Sequence, residues 1–484
     1  MKWQPRPDCW QPPADADRER YAPREVFEAG LRNHHIANTA YPIAHQQTFK
    51  PYRVGRSEHA DLVERGFEGF TDMCLYVHVP FCETRCSFCE YTVVGKDDAQ
   101  RTRDYVDALV TELELYERHI GLSERVFHGL DIGGGTPSFL EAREIARILE
   151  AVHRRCTFSE GADISIETTP KLAAARPGRI ARYRALGIDR ISMGVQVIQP
   201  DLLKVLNRAE NGVEHHYRAV EAIRDAGFER LNLDLMYGFA NQSLSSWQAT
   251  LEHAIALAPE YITLYRMRYK LTRISHQAHA VTLAGIRPMR EMSKRLLTEA
   301  GYHAPPGKTT YSRIPGDVGT SAYLARRVQE AVPYVGLGLG AQSFSHTTIA
   351  YNDGAAGKKL APYLSSLAKG RFPIQDLYDL PRRHVMGKMC AVSFYFGEIQ
   401  RQPFLDKFGV ALETEFSDEV AFLISEGLME LTPEALRMTP AGAHAKNGII
   451  PLFAAPSIQA YLIARDPAQA GDFEKNRRVA LRTA

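Results

Sequence analysis

From Cys74 onward the chain alternates short apolar runs with longer amphipathic segments. The runs are CLYVHV (74–79), VFHGLDI (126–132), DISIET (163–168), RISMGV (190–195), LNLDLMYG (231–238) and YITLYRM (261–267). Between them, RDYVDALVTELELYERHI (103–120), REIARILEAVHRR (143–155), HYRAVEAIRDAG (216–227) and SWQATLEHAIALA (246–258) carry helical periodicity. Strand then helix, repeated, with strands apolar along their length, predicts a parallel sheet covered by helices. Six repeats predict an α/β fold of the partial (β/α)6 barrel type. In such folds ligands sit at the carboxyl ends of the strands.

The rhythm is absent on either side. Residues 1–70 are rich in Pro, His and charge with weak periodicity, and read as an N-terminal extension that packs on the main domain. A further Gly-rich apolar run, YVGLGLGAQSF (334–344), follows a helix-like segment, and the alternation stops after about residue 350. The expected division is therefore 1–70, a core barrel over 71–350, and a helical accessory domain over 351–484. Within the last, a helix is followed by two short strands around Pro433 and Glu434, a winged-helix-like pattern. Its candidate helix carries no basic cluster, and a net charge of +2 gives no electrostatic case for nucleic acid. Hydrophobic residues at 45% and charged residues at 24% are ordinary for a globular protein. No apolar run reaches the roughly 18 residues that a membrane span needs, and the N-terminus lacks a signal-peptide core. The expectation is a cytoplasmic protein without nucleic-acid or membrane partners.

Seven cysteines are an odd number, and three of them, Cys82, Cys86 and Cys89, crowd into the loop directly after the first apolar run. This is no disulfide framework; a tight cluster points to a metal site. Thiolates suit iron–sulfur clusters and zinc. Three cysteines spaced C-x3-C-x2-C can wrap one loop around three irons of a [4Fe-4S] cube and leave the fourth iron for a ligand such as S-adenosylmethionine (SAM). One electron from a low-potential cluster can then break a C–S bond of SAM. The competing readings are a structural zinc site, which usually draws its ligands in two close pairs, and cysteines that only pack. Cys9, Cys74, Cys156 and Cys390 are isolated and read as packing or exposed residues, and His78 as a core histidine.

Other strand ends add polar groups. Gly133, Gly134 and Gly135 follow the second run, with backbone N–H groups free of Cβ obstruction. Glu167 ends the third run, Gln196 the fourth, Asp234 lies in the fifth, and Arg208 follows Gln196. Groups at successive strand ends of one barrel mouth converge on one cavity. Taken singly, each has an ordinary structural explanation, such as a helix cap for Glu167 or a surface ion pair for Arg208.

These residues resemble the oxygen-independent coproporphyrinogen III oxidase family of radical SAM enzymes. The motifs are LYVHVPFC (75–82), GGGTPSFL (133–140), RISMGVQ (190–196), NLDLMYGF (232–239), GLGLGAQSF (336–344) and a C-terminal FGVALETEF…LISEGLMEL…LRMTPAG. The resemblance implies that Tyr76, Gly134 and Glu167 contact the cluster-bound SAM. It implies that Phe88, Gly135, Thr136, Gln196, Arg208 and Asp234 contact a second SAM. Arg268 and Gln342, also taken as cofactor contacts, stand where the oxidase has other residues. An extra cysteine of the oxidase is replaced by Tyr91, its tyrosine–proline signature is only echoed at 39–42, and the HNxxYW segment of the haem-trafficking branch is absent. What is left resembles the methyltransferase and cyclopropanase branch (class C), in which a SAM-derived radical passes a methyl or methylene group to an sp2 carbon. The alternatives are oxidative decarboxylation of coproporphyrinogen III and a non-catalytic haem-handling role. The expected partners are a small-molecule substrate and an external one-electron reductant such as flavodoxin or ferredoxin.

Overall fold

A computed structural model describes residues 21–32, 41, 50–95, 99–269 and 272–465. Cys9, and all of segment 39–42 except Tyr41, lie outside them. The six apolar runs form six parallel strands: β1 (Asp72–Val79), β2 (Val126–Gly134), β3 (Ile164–Thr168), β4 (Arg190–Gln196), β5 (Arg230–Tyr237) and β6 (Tyr261–Arg266). They pair in chain order, so all six carboxyl ends open on one side. Helices cover one face of this sheet and barrel side chains fill the other, which is why the strands are apolar rather than alternating. The helix Ala142–His153 shows the matching pattern: it buries Ile145, Ile148, Leu149 and Val152, at helical spacing, against the sheet.

Beyond β6 the strands change direction. β7 (Thr310–Ser312) runs antiparallel to β6. β8 (Tyr334–Leu337) crosses back to pair parallel with the free side of β1. β9 (Gln342–Phe344), β10 (Thr348–Asn352) and β11 (Ile374–Asp379) then extend the sheet by antiparallel pairing. The strand order β11-β10-β9-β8-β1-β2-β3-β4-β5-β6-β7 is an open path, the partial barrel expected. The sheet passes through the boundary drawn at residue 350 and ends at Asp379. The alternation stops there because β10 and β11 pair antiparallel, so the barrel's strand–helix repeat no longer marks the sheet.

The C-terminal region follows β11. After the buried helix Arg382–Ser393 comes a three-stranded antiparallel sheet of Glu398–Gln400, Ala435–Met438 and Met429–Leu431, with helices Arg401–Phe408 and Ser417–Ser425 between its first strand and its hairpin. The hairpin turns at 432–434, where the sequence places it. A core of its own, including Phe394, Phe404, Phe416 and Phe453, holds this region together. The N-terminal helix Pro23–Arg32 is clamped onto it: a Cβ on Gly30 would sit 2.5 Å from the Asn447 carbonyl oxygen. Tyr41 accepts a hydrogen bond from the Ala455 N–H at 2.9 Å. No helix among the described residues is long and apolar enough to cross a membrane.

One buried carboxylate fixes β8 and its following loop. Glu112, on the helix Ala99–Ile120, accepts from the Gly338 N–H and the Tyr363 hydroxyl, each at 2.7 Å, and from the Asn352 amide at 2.6 Å. Burial pushes its pKa up to about 8 against the pull of these donors. The folded-state value exceeds the unfolded one, so the contribution to stability is full below the ordinary carboxylate range and is lost as pH rises through about 8. Relative to Glu112→Gln, the wild type is expected to lose on the order of 4 kcal/mol between about pH 5 and pH 9. Thermal melts of both proteins across that range check it.

Candidate active site

The loop after β1 carries the three clustered cysteines and is held at several points. The Val94 N–H donates to the Pro80 carbonyl at 3.0 Å, the Ser87 N–H to the Leu206 carbonyl at 3.0 Å, and the Arg273 N–H to the Ser87 carbonyl at 3.0 Å. The Asn207 amide donates to the Arg85 carbonyl at 2.9 Å. The loop is thus pinned between β1 and the segment after β4.

The turn after β2 presses against the same loop. The Gly135 N–H donates to the Val79 carbonyl at 2.7 Å and the Thr136 N–H to the Phe81 carbonyl at 2.8 Å. A Cβ on Gly135 would lie 2.7 Å from the Phe81 oxygen and 3.0 Å from Cys82 Sγ. Gly134 has φ +122, and a Cβ there would strike the His78 ring at 2.6 Å. These two positions have room only for glycine. Thr136 Oγ1 lies 3.3 Å from Cys82 Sγ.

The thiols face a protein-lined cavity of about 1020 Å³. Burial pushes Cys82 up to about 12 and raises Cys89, so both are protonated until a cation displaces the proton. Among the described residues no three His, Cys, Asp or Glu side chains converge on one point as a mononuclear ion would need. Three separate soft donors around a loop suit a cluster, in which each thiolate has its own iron.

Two carboxylates, Glu167 on β3 and Asp234 on β5, line the mouth on either side of β4. Glu167 Oε2 accepts from the Gly134 N–H at 3.1 Å. Asp234 accepts from Ser192 Oγ at 3.1 Å and from the Asn232 amide at 2.8 Å. Burial, helped by Asp234, pushes Glu167 up to about 8, and burial pushes Asp234 up to about 6. Glu167 has no arginine or lysine paired with it among the described residues, so a cationic ligand here would restore its ordinary ionisation.

Gln196 and Arg208 complete the wall. Gln196 ends β4 with φ +68, an uncommon backbone for a non-glycine residue. Its Oε1 is buried with no hydrogen-bond partner among the described residues, and so is Arg208 Nε. Arg208 is 7% exposed and donates through Nη1 to Cys86 Sγ at 3.3 Å and through Nη2 to the Gly194 carbonyl at 2.5 Å. That excludes the surface ion pair. Orphaned buried polar atoms are costly, and both residues line the cavity that the thiols face.

Cys82, Cys86, Cys89, Phe88, Gly134, Gly135, Thr136, Glu167, Gln196, Arg208, Asp234 and Arg268 all line this cavity. Arg268 also pairs with Glu90 at 3.5 Å. Tyr76 does not line it: its hydroxyl lies 3.3 Å from His78 Nδ1 and its ring stacks on Tyr323, behind the Gly133–Glu167 contact. Gln342 is the clear departure from expectation. It lies in β9, outside the cavity, and its amide bonds the hydroxyls of Tyr334 and Tyr351. The antiparallel β8–β9 pairing carries it away from the barrel mouth. His78 is a core histidine, with Nε2 2.8 Å from the Thr92 carbonyl oxygen and burial pushing it down to about 4.

The donor set, the glycine cradle and the two orphaned atoms fit an iron–sulfur cluster with SAM beside it. The sequence profile of the Radical SAM superfamily matches residues 76–254, from β1 through the helix after β5. That stretch of the chain is similar to the radical SAM superfamily. The chain is also similar to proteins named oxygen-independent coproporphyrinogen III oxidase and heme chaperone HemW. It is 31% identical to HemW of Haemophilus influenzae over 243 residues, 48% of this chain and 60% of that protein. It is 28% identical to the oxygen-independent coproporphyrinogen III oxidase of Pseudomonas aeruginosa over 404 residues, 79% of this chain and 85% of that protein. The alignment with HemW thus spans less than two thirds of that relative. The fold is that of coproporphyrinogen III oxidase (HemN) from Escherichia coli, with a TM-score of 0.70 at 22% identity over 83% of this chain and 93% of that one. Proteins of the superfamily that residues 76–254 resemble use a [4Fe-4S] cluster and SAM.

Several lining residues escaped the sequence reading. Tyr265 and Arg266 end β6, where the strand-end rule should have included them. Tyr395 and Lys446 come from the C-terminal region, which no motif ties to the barrel mouth. After anaerobic reconstitution, Cys82→Ala, Cys86→Ala and Cys89→Ala are each expected to cut bound iron from about four per chain to under one. Gly135→Val is expected to do the same while leaving all three thiols in place, because its side chain displaces the loop. Iron and sulfide analysis checks both.

Proposed function

We propose that this chain is a radical SAM enzyme that acts on a small molecule in the cavity, with a second SAM held beside the first. When bound, the cluster supplies the electron that cleaves SAM to an organic radical. Cys82, Cys86 and Cys89 hold the cluster; the Gly134 turn and Glu167 receive the amino-acid end of the first SAM. Gln196, Arg208 and Asp234 receive the second. The observation that carries this reading is the pair of buried, unpartnered atoms, Gln196 Oε1 and Arg208 Nε, on the wall that the cysteines share. A guanidinium matches a carboxylate bidentately.

Two reactions are in contention. Oxidative decarboxylation of coproporphyrinogen III is supported by relatives that bear the oxidase name, one of them matched over 85% of its length. Methyl or methylene transfer to an sp2 carbon is supported by Tyr91, a cavity residue where the oxidase resemblance places a further cysteine. A haem-handling role has the HemW name on its side, without the HNxxYW segment. Either reaction uses an external one-electron reductant such as flavodoxin or ferredoxin, and neither requires nucleic acid or a membrane.

The products separate them. Under dithionite and SAM, release of carbon dioxide from coproporphyrinogen III identifies the decarboxylase. S-adenosylhomocysteine formed alongside 5′-deoxyadenosine identifies the transferase. Haem binding without SAM turnover identifies the chaperone and overturns the enzyme reading. Arg208→Ala is expected to weaken the second SAM by about tenfold to a hundredfold, the loss of one charge-assisted contact. Product formation should fall much further than uncoupled cleavage of the first SAM. Equal loss of both, or a wild-type stoichiometry of one SAM per cluster, contradicts the second site.

A further inference from the structure

Beside the cysteine loop stands a lysine that the site described above does not use. Lys358 lies in the turn between β10 and the helix Leu360–Ala368, and it does not line the cavity. Its Nζ donates to the Glu90 carbonyl at 3.0 Å and to the Tyr91 carbonyl at 2.9 Å, one and two residues past Cys89. The turn is built against the exit of the loop. Thr92 Oγ1 donates to the Gly354 carbonyl at 3.5 Å, and a Cβ on Gly340 would lie 2.7 Å from Thr92 Oγ1. The Lys358 N–H closes the turn on the same Gly354 carbonyl at 2.9 Å. Lys358 has φ +51, in the left-handed region that a lysine occupies only at a cost. Among the described residues no carboxylate forms an ion pair with it.

Two further cations bracket the thiols. Arg85 folds back within the loop: its Nη2 donates to the Cys89 carbonyl at 3.3 Å, and its Nε is buried with no hydrogen-bond partner among the described residues. Arg208 reaches Cys86 Sγ at 3.3 Å from the segment after β4. The loop's own carboxylates are matched elsewhere, Glu83 by Lys171 at 3.2 Å and Glu90 by Arg268 at 3.5 Å. Burial raises the thiols of Cys82 and Cys89; Arg85 and Lys358 pull Cys89 back toward the thiolate, and Arg208 does the same for Cys82. Cations thus surround a group that gains a negative charge when it is reduced. The potential of an iron–sulfur cluster follows the net charge and the hydrogen bonds around its sulfurs. Lys358 is half-buried, so salt screens its charge less than that of a surface lysine.

We infer that Lys358 is a positioning residue of the cysteine loop whose ammonium, fixed on the Glu90 and Tyr91 carbonyls beside Cys89, raises the reduction potential of the cluster and eases its one-electron reduction. The inference rests on the cluster reading and goes beyond it by assigning control of the potential to a residue outside the cavity.

The test is a redox titration, followed by electron paramagnetic resonance, of the full-length protein reconstituted anaerobically with iron and sulfide. Lys358→Gln keeps a donor for the two carbonyls and removes the charge, whereas Lys358→Arg keeps both. Lys358→Gln is expected to lower the reduced-to-oxidised ratio at a given potential by about tenfold, a shift of about 59 mV to more negative values. Its iron should stay at about four per chain. Lys358→Arg should recover most of the shift, and Arg85→Gln should shift the potential in the same direction as Lys358→Gln. Lys359→Gln, a change at the exposed neighbour, should leave the potential where it is. A wild-type potential in Lys358→Gln, or an equal shift in Lys359→Gln, overturns the inference. Loss of the cluster from Lys358→Gln overturns it too, since the lysine is then a clamp on the loop and its charge is incidental. Iron uptake by the wild type is measured separately. Its absence sinks the cluster reading, whereas about four irons per chain with a potential indifferent to Lys358 sinks only this one.

Discussion

The site depends on one close approach, that of the loop after β1 to the turn after β2. Parallel pairing of β1 with β2 brings the two strand ends together, with Val79 opposite Gly134. Two backbone hydrogen bonds then fasten the turn to the cysteine loop, from Gly135 to Val79 and from Thr136 to Phe81. The approach leaves no volume for a side chain at Gly135. Every feature that points to a cofactor sits around this junction: the three thiols, the N–H of Gly134 on Glu167, and Arg208 reaching Cys86 from the segment after β4. A barrel with the same strands but a bulkier turn would place its cysteines elsewhere and lose the alignment of donors with the carboxylates.

Around that junction the fold divides labour between its regions. The six parallel strands present polar groups at one mouth, and the C-terminal region closes over part of it. Arg290 from the barrel helix meets the Ala443 carbonyl, and Lys446 reaches back to the Gly307 carbonyl at 3.1 Å. The N-terminal helix braces the C-terminal segment in turn, through Gly30 against Asn447 and Gly448 against Phe27. The substrate side of the cavity is therefore assembled from parts of the chain some 350 residues apart, from Tyr91 to Lys446.

This division explains what could be read from the sequence. The barrel strands were legible because strands buried on both faces leave continuous apolar runs, and the cysteine loop because its ligands are local. Gln196, Arg208 and Asp234 were legible because parallel strands bring their ends to one place. Gln342 was misplaced because the direction of a strand does not show in its composition: β9 runs antiparallel and carries its amide to Tyr334 and Tyr351. The boundary near residue 350 was drawn for the same reason, across β10. Tyr395 and Lys446 could not be found, since their meeting with the barrel mouth is decided by packing between regions and by no motif. Tyr91 was noticed only as a departure, yet it is among the most open aromatic side chains in the cavity.

The central claim is that Cys82, Cys86 and Cys89 hold a [4Fe-4S] cluster with one iron left for SAM. It is tested most directly by Mössbauer spectroscopy of protein reconstituted with 57Fe, recorded with and without SAM. One iron of the cluster should shift on SAM addition while the thiolate-bound irons do not. A spectrum unchanged by SAM, or a loop that takes up zinc and no iron, would contradict it.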